Sequence, residues 1–210
     1  MTPYIDEFIT IAIIHLVAVA SPGPDFAVVV RHSVTFGRRV ALLTSIGIGL
    51  GILLHVGYSL IGLSVVIKTT PWLFRTISYM AAAYLVYLAV GALRSGPSSS
   101  PAVLGVDTKN KATMSDRKAV WTGFLTNGLN PKATLFFLSV FTAIINIDTP
   151  FSIKLMYGIY LSVATGVWFC FLSYLLSSSK IAHLIGSKGY WLDRVMGVLL
   201  LGLAAKLVWL

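Results

Sequence analysis

The chain has 210 residues, 57% of them hydrophobic and 11% charged, with a mean hydropathy of +0.86. Soluble domains carry about 25% charged residues, so this composition excludes a water-soluble globule. The net charge of +9 does not mark a nucleic-acid binder, because the basic residues fall in loops between apolar stretches, where membrane orientation accounts for them.

In chain order, six stretches approach the length of about 20 apolar residues that crosses a bilayer. They cover 8–30, 40–67, 72–93, 120–147, 151–176 and 191–210. Apolar residues surround each stretch on every side instead of alternating, which fits helices and not barrel strands. The sequence therefore predicts an all-α membrane protein with six transmembrane helices.

The first stretch ends its opening run in Ala18-Val19-Ala20, which looks like a signal-peptidase site. Asp6 and Glu7 stand before it with no positive charge, the wrong sign for a signal peptide, so it is expected to stay. The stretch is then interrupted by Ser21-Pro22-Gly23-Pro24-Asp25-Phe26. Proline lacks a backbone donor and clashes with the preceding turn, so the helix should break here. The second stretch carries Gly47-x-x-x-Gly51 and the third Ala81-Ala82-Ala83, small residues that permit close helix packing. Trp72 and Trp191 open their stretches at the expected membrane interface, each with an arginine three residues on, Arg75 and Arg194.

Residues 94–118 are rich in Ser, Pro, Gly and Lys and read as a flexible linker. Beyond it the fourth stretch is broken again, at Asn130-Pro131-Lys132. Cys170 is the single cysteine, which excludes an intrachain disulfide and a cysteine metal cluster. No metal or cofactor is expected. Eleven of the 16 Lys and Arg residues lie on the first, third and fifth loops, including Lys109, Lys111, Lys180 and Lys188, and four, Lys68 among them, on the opposite side. The positive-inside rule then puts the linker in the cytoplasm and both termini outside, provided the first stretch crosses fully.

The linker separates residues 1–93 from 119–210, and these halves echo one another. Ser21-Pro22-Gly23 falls opposite Asn130-Pro131-Lys132, Gly47–Gly51 opposite Gly158–Ser162, and Trp72–Arg75 opposite Trp191–Arg194. Three crossings per half force the second half to enter from the opposite face. The expected architecture is two inverted three-helix repeats, each with a broken first helix, a plan used by secondary transporters with the substrate site at the breaks.

Asp25 and Lys132 are the ionisable residues nearest the middle of their stretches. A charge there costs roughly 2.5–3.5 kcal/mol on insertion scales, so each needs a partner. Two readings follow. The pair is a structural ion pair holding the halves together, or a zwitterionic substrate or a proton comes between them, with Asp25 receiving an amino group or proton and Lys132 a carboxylate. His15 and His55 also lie within stretches; they are helix-to-helix hydrogen bonders or a proton relay, and make a poor metal site. Paired acids, HExxH and GxSxG are missing from the stretches, which argues against an enzyme. A channel, or an exporter of another small solute or ion, is the runner-up, though nothing resembles a selectivity filter.

SPGPDF in the first stretch, AAAYLVYLAVGALR in the third and GFLTNGLNPKA at the fourth together resemble the lysine exporter/RhtB family of bacterial amino-acid efflux proteins, and most of all its homoserine/threonine-exporting branch. The likeness covers essentially the whole chain. It implies a multi-pass protein of the bacterial inner membrane that exports amino acids in exchange for protons, with homodimerisation among the family's properties. The matching motif positions are Ser21, Pro22, Gly23, Pro24 and Asp25, then Asn127, Asn130, Pro131 and Lys132. Asp25 is the one acidic residue well inside a stretch, so a cationic substrate would lack a second carboxylate. That favours a neutral amino acid such as threonine, homoserine or leucine.

Overall fold

A computed structural model describes residues 3–21, 23–69, 71–94, 113–176 and 190–209. Pro22, Lys109, Lys111, Lys180, Lys188 and the side chain of Lys68 lie outside the described residues, as does most of the linker. The described residues form eight α-helices: α1 (Pro3–Ala20), α2 (Pro24–Thr35), α3 (Arg38–Thr69), α4 (Pro71–Leu93), α5 (Asp116–Gly128), α6 (Pro131–Ala143), α7 (Phe151–Leu176) and α8 (Tyr190–Val208).

Both expected breaks are present, and proline starts a new helix at each. Pro24 and Pro131 occupy the first turns of α2 and α6, where the missing N–H costs nothing because that turn has no acceptor for it. Asn130 caps α6 by accepting from Lys132 N at 3.0 Å, whereas the cap of α2 is Gly23, which offers no side chain. Just beyond α2, Gly37 has a φ of 90°, which is left-handed and suits a residue without Cβ. α5 starts inside the expected linker, at the cap Ser115, which accepts from Lys118 N.

Among the described residues, two helical segments are long and apolar enough to cross a membrane, Arg38–Ile61 and Phe151–Leu176; α1 and α2, bent by 52° at their break, pass the same test as a pair. α5 and α6 have 13 residues each and reach only about 20 Å apiece, short of a hydrocarbon core of about 30 Å. Polar side chains are nevertheless buried while large apolar ones face outward. Ser45, His55, Asn127, Ser139, Thr165 and Ser173 are buried, while Ile46, Leu50, Ile61, Val163, Val167 and Phe171 are exposed. Outward apolar side chains over satisfied helical backbone suit lipid and not water.

α3 runs through the centre. Its antiparallel crossing with α7 is fixed by the hydroxyls of Ser45 and Ser173 at 2.9 Å, Ser162 Oγ donating to Gly49 O at 2.7 Å, and Gly158 against Val56. α5 runs parallel to α3, and the seam is glycine on both sides. A Cβ at Gly47 would strike the Val120 carbonyl, and one at Gly123 the Thr44 carbonyl. α1 runs parallel to α7, with Tyr157 OH donating to Tyr4 O at 2.7 Å and His15 Nε2 2.9 Å from Thr165 Oγ1. α8 packs on α4, where a Cβ on Gly197 would come within 3.0 Å of Ala89 O. Phe136, Phe137, Val140, Tyr157 and Leu161 share one apolar core with Ile52, Leu85 and Leu200.

The ends of these parallel pairs are tied. Glu7 Oε1 accepts from Asn146 N at 2.9 Å and from Thr149 Oγ1 at 3.0 Å, joining α1 to the turn before α7. Arg39 donates to both carboxylate oxygens of Asp116, through Nη2 at 2.6 Å and Nε at 3.2 Å, joining the start of α3 to the start of α5.

Candidate functional site

The two breaks face each other. Asp25, in the first turn of α2, accepts at Oδ2 from Asn127 Nδ2 at 2.9 Å and from Asn130 Nδ2 at 3.2 Å. Lys132, in the first turn of α6, donates from Nζ to Ser21 Oγ at 3.4 Å. Each charge thus takes neutral partners from the opposite half of the chain. Asn127 is 1% exposed, Asn130 4% and Ser21 5%, so these are interior contacts. Asp25 Oδ1 is buried with no hydrogen-bond partner, which leaves one carboxylate oxygen able to accept from something else.

Lys132 stands against its local electrostatics, because a helix N-terminus carries partial positive charge and disfavours a cation. The N-terminus of α2 lies beside it, since a Cβ on Gly23 would be 3.3 Å from Lys132 Nζ. With no side chain capping α2, first-turn amides and an ammonium converge on one place, which suits an anion.

Ser21, Gly23, Pro24, Asp25, Asn127, Asn130 and Lys132 border one cavity of about 60 Å³. Its remaining walls are largely apolar, with Phe26, Phe136, Phe137, Phe169, Ile52 and Leu200, interrupted by His15 and Thr165. The structure therefore gathers all the expected motif residues that it describes, except Pro131, which starts α6 but is not among the cavity walls.

The two histidines part company. His15 borders the cavity. His55 stands behind it, with Nε2 donating to Asn127 O at 2.9 Å and Nδ1 2.6 Å from Tyr58 OH, its ring stacked on Phe137. It adds a second hydrogen bond to a carbonyl at the end of α5 that already accepts from Asn130 N at 2.8 Å. Sequence reasoning missed Thr165 and the phenylalanines. The signal for Thr165 was its register with Gly158, Ser162 and Phe169 on one face of α7.

A family profile for the LysE type translocator matches residues 16–210. The chain belongs to the LysE type translocator family. As a LysE type translocator it is a transporter and not an enzyme. It is 30% identical to the threonine efflux protein of Escherichia coli (strain K12) over 203 residues, covering 96% of this chain and 97% of the relative. It is 33% identical to the leucine efflux protein of Salmonella choleraesuis (strain SC-B67) over 196 residues, covering 89% and 87%. No solved structure matches this LysE type translocator.

Proposed function

We propose that this protein exports a neutral amino acid across the bacterial inner membrane in exchange for protons, with the substrate bound between the two helix breaks. The observation that carries this reading is the pair of opposite charges on one cavity. The substrate ammonium goes to Asp25 Oδ1, which has no other partner. The carboxylate goes to Lys132 Nζ and the uncapped N-terminus of α2. The zwitterion uses both charges, and among the described residues the cavity walls hold no further carboxylate for a cationic side chain. Relatives named for threonine and leucine efflux agree with that class.

Asp25 couples the cycle by exchanging the substrate ammonium for a proton: protonation weakens its hold on the amino group. The movement is a rocking of two inverted units, 1–93 and 119–210, linked by 94–118 on the cytoplasmic side. Several contacts support the inversion. The second helices of the two halves, α3 and α7, cross antiparallel. The first helix of each half runs parallel to the second helix of the other, α1 with α7 and α5 with α3. Glu7 and Asp116, which tie those pairs at their ends, stand 109 residues apart, the same offset as Ser21 and Asn130.

Counterflow in proteoliposomes tests the proposal. Vesicles loaded with unlabelled amino acid should accumulate labelled threonine or leucine saturably, and a pH gradient should drive further transport. Asp25→Asn should fold but lose the response to the gradient. Lys132→Ala should weaken binding about ten- to a hundredfold, as expected for one charge-assisted hydrogen bond. Conduction without counterflow would indicate a channel, and gradient-driven pumping by Asp25→Asn would remove Asp25 from the coupling role.

A further inference from the structure

We infer that His15 and Thr165 read the substrate's side chain and select a short hydroxyl-bearing amino acid over its aliphatic isostere; this rests on the amino-acid reading above. Two groups in the cavity are polar without belonging to the charged pole, and they are bonded to each other. His15 Nε2 lies 2.9 Å from Thr165 Oγ1. His15 is 2% exposed and Thr165 1%, and His15 Nδ1 has no hydrogen-bond partner. The structure thus keeps an unpartnered ring nitrogen on a side chain that borders an otherwise apolar wall.

The chemistry of the ring narrows what can satisfy it. If Thr165 donates to Nε2, the ring proton sits on Nδ1 and seeks an acceptor. If Nε2 carries the proton and donates to Thr165, Nδ1 seeks a donor. A hydroxyl serves either tautomer, because it both donates and accepts, and a methyl serves neither.

His15 and the charged residues of the two breaks border the same cavity, so one bound ligand can meet both. Phe136, Phe137 and Ile52 enclose the methylene or methyl groups between the poles. His55 is not equivalent, since both of its ring nitrogens have partners.

The test compares threonine with valine, which have nearly the same shape and differ by hydroxyl against methyl. Counterflow kcat/KM is measured for both in wild type, His15→Phe, His15→Gln and Thr165→Val. Wild type should prefer threonine by about tenfold or more, the discrimination of a site that bonds a substrate hydroxyl. His15→Phe should bring the ratio to about one, His15→Gln should restore part of it, and Thr165→Val should lower it. Equal transport of threonine and valine by wild type overturns the inference and leaves the efflux reading intact. An unchanged ratio in folded His15→Phe also overturns it. If that variant does not fold, the wild-type ratio and Thr165→Val decide. Transport of neither amino acid by folded wild type overturns both readings.

Discussion

Asn127 connects the charge at one break to the packing of a different helix. Its Nδ2 holds Asp25, its carbonyl accepts from His55, and its Oδ1 lies where a Cβ on Gly51 would come within 2.8 Å. Gly51 therefore shapes the site without bordering the cavity. Gly51→Ala should push the carboxamide off Asp25 and weaken substrate binding by about tenfold, the worth of one hydrogen bond to a charged group. Isothermal titration of the purified variant checks this, and unchanged affinity would show that Asn127 does not position Asp25. That Asp25 and Lys132 need partners was legible in the sequence, because ionised residues in apolar stretches are costly. Their partners were not. Ser21, Asn127 and Asn130 could be named as motif positions, but which of them meets which charge depends on how two distant breaks are brought together.

At the scale of elements, the breaks and the small-residue seams were readable because proline and glycine act through local geometry. The pairing of those seams was not, since a glycine shows that something comes close without naming it. Gly47 and Gly51 turn out to serve α5, while Gly49 between them serves α7. The seams make a graded prediction. Gly123→Ala sets a methyl against the Thr44 carbonyl and should cost about 1–3 kcal/mol by forcing α3 and α5 apart. Gly57→Ala, on the same helix α3 with nothing within 4 Å of the added carbon, should be neutral or stabilising by up to about 1 kcal/mol. Thermal unfolding in detergent separates the two. Equal shifts would mean that the α3–α5 seam yields freely.

Across the whole molecule, the two end ties differ in kind. The Arg39 and Asp116 side chains are 80% and 52% exposed, and such surface pairs contribute little and are screened by salt. Glu7 instead accepts from a backbone N–H and from the hydroxyl of Thr149, which is 4% exposed. Asp116→Asn should thus lower stability only slightly, an effect that disappears at high salt. Glu7→Ala should cost about 1–3 kcal/mol at any ionic strength. Melting curves at low and high salt check both; a salt-sensitive Glu7→Ala loss would contradict the assignment. The rocking proposed above should therefore open more readily at the Arg39–Asp116 end.

The reciprocal bonding at the breaks also bears on how the chain is made. Residues 1–93 leave the ribosome with Asp25 and Ser21 but without Asn127, Asn130 or Lys132. Until the second half is synthesised, the carboxylate must stay hydrated or bear a cost of roughly 2.5–3.5 kcal/mol in the bilayer. The first pair of helices is then expected to settle fully only when the amides of the second half arrive.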